Sequence, residues 1–245
     1  MNNIFSNFPK KRTPLPPEFE AIYSKHYKEN REGRSQASSL AQKMESWMHK
    51  KVAEDVKFDA HRSTLEIGAG TLNHLPYERQ CGSYDIVEPF RSLYESSPHL
   101  DSIRNIFNDI SNIPPTAKYE RIISIATFEH ICNLPEVVAK SGLLLTAEGE
   151  LRIGIPSEGT ILWRLGYTFT TGLEFRLKYN LNYDVLMKHE HVNTAQEIED
   201  VLRYFFSKVE SSFFGIAKHL SLYQFYACSK LRLDNCMNYL KGKIL

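Results

Sequence analysis

The sequence predicts an α/β domain: a doubly wound, mainly parallel sheet of seven strands that ends in an antiparallel C-terminal pair. Three observations carry that expectation. Five short aliphatic runs recur between residues 64 and 155, separated by segments long enough for crossovers. A tight glycine turn, Gly68-Ala69-Gly70, follows the first run directly. The last two runs, near Val209–Phe214 and Leu222–Cys228, lie too close together for a crossover helix and so read as antiparallel neighbours.

Each element has its own signal. Residues 1–20 carry Pro9, Pro14, Pro16 and Pro17 and read as an arm that lies on the domain or stays loose. A helical pattern runs from about Phe19 to Val56. Within it Leu40, Met44, Trp47, Met48 and Val52 fall at spacings of three and four, a stripe that packs on the core or walls a pocket. The five runs are Thr64–Ile67, Tyr84–Val87, Ile103–Phe107, Arg121–Ile125 and Glu150–Ile155. Pro76 interrupts the segment after the glycine turn, so the first crossover helix is expected to be short or irregular. Leu134–Leu145 reads as a helix, and Thr194-Ala-Gln-Glu197 as a capping box opening a helix to about Phe206.

Residues 157–190 follow the fifth run. They hold Trp163, Tyr167, Phe169, Phe175, Tyr179 and Tyr183 beside Arg164, Arg176, Lys178 and Lys188. They read as a lid insertion over a ligand site, or as a helical subdomain burying its own aromatics. The tail 231–245 reads as a docked helix, with membrane or partner association as the alternative. The domain plan is an N-terminal arm and helical segment at 1–60, the main domain at 61–230 and the tail.

Composition bounds the function. The 245 residues are 42% hydrophobic and 24% charged, enough to bury a core. Thirty basic residues against 29 acidic ones leave a net charge of +1, which argues against a polybasic nucleic-acid binder. No apolar run approaches the ~18 residues of a membrane span. Met1–Pro17 has no signal-peptide core, and the four cysteines form no CxxC pair. These features predict a cytoplasmic protein with free thiols.

The chemistry concentrates around the glycine turn. Glycines one residue apart let backbone approach a ligand where a Cβ would intrude. Glu66 sits two residues before the first glycine, where nicotinamide sites usually lack an acid because an anionic pyrophosphate must enter. The third glycine of a dinucleotide fingerprint is absent, the run being Gly68-Ala-Gly70-Thr-Leu-Asn73. Glu88 closes the second run at the spacing of an acid that binds ribose hydroxyls. Asp109 follows the third run, where a carboxylate can accept from an adenine amine.

Leu65-Glu66-Ile67-Gly68-Ala69-Gly70, Glu88, Asp109-Ile110 and Phe128-Glu129-His130-Ile131 together resemble the class I S-adenosylmethionine-dependent methyltransferases. The likeness is to the small-molecule, type 11-like group related to the ubiquinone-pathway enzymes. It covers 61–156 well and 191–228 loosely, the latter through His191-Val192-Asn193-Thr194. The resemblance implies a Rossmann-like fold, S-adenosylmethionine as cofactor and S-adenosylhomocysteine as product. It places Gly68, Ala69 and Gly70 against the methionine and ribose portion, Glu66 at the amino end, and Glu88 at the ribose. Asp109 and Ile110 fall at the adenine, and Ala126 and Thr127 beside the cofactor. The acceptor expected is a small molecule, with the aromatic and basic content of 157–190 fitting a sugar, nucleotide sugar or phosphorylated metabolite of a surface-polysaccharide pathway. The rival readings are a non-catalytic binding or scaffold protein of the same fold and, further off, a nicotinamide-dependent oxidoreductase.

His130 and His191 are the catalytic candidates, since an acceptor hydroxyl needs a base near its operating pH. No metal is expected. Glu129 and His130 are two ligands with one carboxylate, too few for magnesium, and His189-Glu190-His191 has no third ligand at a convincing spacing.

Overall fold

The computed structural model describes residues 4–20, 22, 39–54, 62–79, 82–168 and 172–242. The side chains of Leu40, Met44 and Tyr167, together with Cys81, Phe169 and Ile244, lie outside that description. Seven strands form one sheet: β1 (Thr64–Ile67), β2 (Tyr84–Val87), β3 (Asn105–Phe107), β4 (Tyr119–Ile125), β5 (Leu145–Pro156), β6 (Phe206–Ala217) and β7 (Leu220–Leu231). Their order is β3-β2-β1-β4-β5-β7-β6. The first five pair in parallel, and β7 runs antiparallel to both β5 and β6. The expected sheet is therefore the observed one. The chain reverses between β1 and β4, so the carboxyl ends of those strands splay open into a crevice, the place where such sheets bind ligands.

The helices are α1 (Ser39–Ala53), α2 (Arg91–Tyr94), α3 (Leu134–Leu144), α4 (Ile161–Tyr167), α5 (Leu173–Tyr179), α6 (Tyr183–Glu190), α7 (Ala195–Phe205) and α8 (Leu233–Lys241). Strand alternation sorts them into two layers. Leu65, Ile122, Leu151, Ile153 and Tyr226 point to one face, where they join Val138 of α3, Ile198 and Leu202 of α7 and Cys236 of α8. Ile86, Ile123, Ile125 and Phe225 point to the other, against Met48 and Val52 of α1. Each fully buried aliphatic or aromatic side chain in these layers contributes roughly 1.5–3 kcal/mol.

Local chemistry fixes the helix ends. The capping box at Thr194 and Glu197 is formed in both directions, so α7 starts where the sequence predicts. Arg152 on β5 donates through Nε to the carbonyl of Val52 at 2.8 Å and through Nη2 to that of Lys51, satisfying carbonyls that the end of α1 would otherwise leave bare. Gly154 lets that helix approach, since a Cβ there would lie 3.2 Å from Met48. The first crossover contains only a short 3-10 turn, Leu75–Tyr77, with Pro76 inside it. The tail forms α8 and docks through Cys236, Tyr239 and Leu240. Among the described residues no helix is long and apolar enough to cross a membrane.

Residues 157–190 fold as α4, α5 and α6. Phe175 and Leu186 bury themselves with Phe19 of the N-terminal arm, and Tyr179 and Tyr183 pack around them. Three of the segment's six aromatics, Phe175, Tyr179 and Tyr183, are thus spent on its own small core, while Arg164, Arg176 and Lys178 face outward.

Candidate active site

The carboxyl ends of β1, β2 and β4 and the turn after β3 enclose a cavity of about 580 Å³, a size suited to a small molecule. Gly68 and Gly70 adopt φ of +73° and +53°, a left-handed conformation that costs other residues about 1–2 kcal/mol. A Cβ on Gly68 would lie 2.4 Å from Thr127, so glycine lets β1 and the end of β4 meet. A Cβ on Gly70 would meet nothing within 4 Å, and Gly70 borders the cavity.

Glu88 locks this turn. Its Oε2 accepts from the Gly70 amide at 2.9 Å and its Oε1 from the Phe90 amide at 3.0 Å, with the residue 2% exposed. Asp109 accepts from the Ser111 amide at 2.8 Å and stands exposed at the cavity rim, followed by buried Ile110. Ala126, at φ +48°, turns the chain at the end of β4 and presents Thr127. Gly68, Ala69, Gly70, Glu88, Asp109, Ile110, Ala126 and Thr127 all line this one cavity.

Glu66 does not. The pleat turns it to the α1 side, where its carboxyl takes a hydrogen bond from the Tyr84 hydroxyl at 2.8 Å. Burial pushes its pKa up to about 8, against the lowering effect of that hydrogen bond. Glu66 is therefore mostly neutral near pH 7 and braces the strand beneath the loop. The expected contact with a cationic amino end is not what this position offers.

His130 and His191, far apart in sequence, stand together. The 3-10 turn Phe128–His130 carries the first; the loop after α6 carries the second. Asn193, fully buried, ties the two segments by donating to the carbonyls of Phe128 and Ile131, each at 2.8 Å. The amides of Val192 and Asn193 both donate to the Glu129 carbonyl. The imidazoles meet edge to face with centroids 4.8 Å apart. His130 Nδ1 lies 3.0 Å from the Glu190 carbonyl, and His191 Nδ1 lies 2.8 Å from Glu158 Oε2. Both partners are acceptors, which favours the tautomer with the proton on Nδ1 in each neutral ring. Burial lowers the His130 pKa, but its bond to Glu190 and the charges of Glu129 and Glu190 outweigh this and raise it.

Several contacts at the site were not visible in the sequence. Glu129 is 1% exposed and joins the two histidines, with its carboxylate and their ring nitrogens all within 4.8 Å of one another. The sequence offered no third ligand to the His189–His191 pair; the fold instead brings Glu129 and His130 beside His191 across about 60 positions of chain. Arg12, from the proline-rich arm, donates to the carbonyls of His130, His189 and Glu190 and also lines the cavity. Lys10 binds the Val192 carbonyl and Glu197. The arm thus lies strapped across the site. Glu45 and His49 of α1 line the cavity, while Met48 and Val52 of its apolar stripe pack on the core. Trp163 bonds Glu158 through Nε1 at 2.6 Å, with its ring stacked toward His191 and edge-on to Tyr223.

No protein-family model matches the chain, and no curated protein matches it in sequence. Solved structures do match in shape. A SAM-dependent methyltransferase from Thermotoga maritima, described as a possible histamine N-methyltransferase, superposes with a TM-score of 0.57 at 14% identity, over 87% of this chain and 98% of that one. The plantazolicin methyltransferase BpumL, in complex with a pentazolic desmethylPZN analog and SAH, gives 0.60 at 14% identity, over 87% and 93%. An O-methyltransferase family protein from Burkholderia thailandensis gives 0.54 at 14% identity, over 90% and 65%. The chain has the class I SAM-dependent methyltransferase fold. At such identities the likeness is one of fold.

Proposed function

We propose that the protein transfers a methyl group from S-adenosylmethionine to a small-molecule acceptor and releases S-adenosylhomocysteine. One observation carries the reading: the Gly68–Gly70 turn, held by Glu88, opens onto a cavity lined by eight of the nine residues expected to bind this cofactor. The cradle fits the group, because the space beyond Gly70 is one that a Cβ would invade. Glu88 would hold the ribose hydroxyls, Asp109 and Ile110 the adenine, and Gly68, Ala69 and Gly70 the amino-acid portion. When bound, the cofactor supplies a methyl group already activated by a sulfonium charge. The protein's remaining task is alignment and exclusion of water. Thr127, Arg12 of the strap and Glu45 and His49 of α1 line the cavity.

His130 and His191 serve the acceptor side. Trp163 stacks toward His191 and meets Tyr223 edge-on, an aromatic content that suits a sugar or other cyclic acceptor. The outward-facing cations of 157–190 give no support to a phosphate there.

Thermal unfolding with S-adenosylhomocysteine, NAD and adenosine tests the reading. A native-state ligand at about 100 times its Kd adds roughly 2.7 kcal/mol, which for this length raises Tm by roughly 5–10 °C. The proposal expects that rise with S-adenosylhomocysteine and none with NAD. A rise with NAD alone, or no rise at saturating ligand, overturns it.

A further inference from the structure

Glu129, His130 and His191 present one carboxylate and two imidazoles toward a common point, all three donor atoms lying within 4.8 Å of one another. We propose that they form a binding site for a divalent transition-metal cation of the zinc, iron or cobalt kind. The site's existence rests on this geometry alone. Its role, holding an oxygen of the acceptor next to the methyl donor, rests on the function proposed above.

Three features separate the cluster from an ordinary buried ion pair. Glu129 Oε2 is buried without a hydrogen-bond partner, while Oε1 stands 3.7 Å from His130 Nε2. A carboxyl oxygen left bare inside a protein is costly, and a cation is a partner that removes the cost. Both histidines donate from Nδ1 to oxygen, His130 to the Glu190 carbonyl and His191 to Glu158. That outer contact fixes metal-binding imidazoles with Nε2 as the ligand. Finally, His130 borders the cavity that the glycine turn opens into, so coordination positions remain for a small molecule. Two imidazoles and one carboxylate with open positions suit zinc or ferrous iron, whereas magnesium prefers an all-oxygen sphere. Metal–ligand bonds of about 2.0–2.2 Å require the three donors to draw in by roughly an ångström, within the reach of side-chain rotation.

The test uses the full chain, treated with chelator, dialysed and titrated with Co²⁺ and Zn²⁺ by visible absorption and calorimetry. The proposal expects one equivalent of Co²⁺ with d–d bands, displaced by Zn²⁺ and not by Mg²⁺. Glu129→Gln and His191→Gln should each weaken binding by more than about 100-fold, and Glu158→Gln by about 10- to 100-fold. Circular dichroism of each variant checks folding, and the wild-type titration stands whether or not a variant folds. Absence of a one-equivalent site in the wild-type protein overturns the proposal, as does binding unchanged in both folded ligand variants. S-adenosylhomocysteine titrated in parallel separates the two claims. Cofactor binding without Co²⁺ binding removes the metal site and leaves methyl transfer, and Co²⁺ binding without cofactor binding does the reverse.

Discussion

Replacing Gly68 and Gly70 separately with alanine probes two different reasons for glycine in the same turn. Both positions have positive φ, so either alanine adds backbone strain of about 1–2 kcal/mol. At Gly68 the new methyl also lands 2.4 Å from Thr127 Cγ2 and Oγ1, an overpacking cost of about 1–3 kcal/mol. Gly68→Ala should therefore lose roughly 2–5 kcal/mol, a drop in Tm of about 5–15 °C for a chain of this length. Adding Thr127→Ala removes the two closest atoms and should restore about 1–2 kcal/mol, read as coupling in a double-mutant cycle. Gly70→Ala meets nothing within 4 Å and should lower Tm by only about 2–6 °C. Its methyl enters the cavity instead, so S-adenosylhomocysteine affinity should fall at least about tenfold, or 1.4 kcal/mol. Calorimetric unfolding and ligand titration on wild type, Gly68→Ala, Gly70→Ala, Thr127→Ala and the double variant decide the matter. Equal stability of the two glycine variants, or wild-type ligand affinity in Gly70→Ala, would refute the reasoning.

Three further outcomes follow from the same contacts. Because the Glu66 pKa is about 8 in the folded protein against an ordinary 4.5, the native state binds the extra proton, and stability falls as pH rises between those values. Glu66→Gln should match wild type near pH 4 and exceed it by on the order of 3–5 kcal/mol above pH 8; identical pH slopes in denaturant unfolding would contradict the burial argument. Glu88→Ala removes the carboxylate held by the Gly70 and Phe90 amides and should weaken S-adenosylhomocysteine by roughly 10- to 100-fold, checked by calorimetry. Asn193→Ala leaves the carbonyls of Phe128 and Ile131 without their donor and should cost about 1–3 kcal/mol, seen as a lower Tm.

How much of this was legible in the sequence depends on how local each signal is. β1 and β2 begin and end where their aliphatic runs do, and Thr194 caps α7 as its spacing implies. Strands β5 to β7 extend beyond their apolar cores, because backbone pairing across an antiparallel edge tolerates polar residues such as Ser211 and Ser229. The glycine turn and the acids that border the same cavity were readable because glycine at positive φ and acids at strand ends are properties of single positions. The orientation of Glu66 was not readable for the complementary reason: composition places it in the motif, but the strand pleat decides which face it reaches. The histidine cluster was illegible in the same way. Glu129, His130 and His191 meet because the Asn193 side chain and the amides of Val192 and Asn193 pin two distant segments, and the Arg12 contacts join residues more than a hundred positions apart.

Isothermal titration of the full chain with S-adenosylhomocysteine tests the central claim most directly. The account predicts one site per chain, competed by S-adenosylmethionine and indifferent to NAD, with affinity that Glu88→Ala reduces. No heat of binding at millimolar ligand, or binding unchanged by Glu88→Ala, would contradict it.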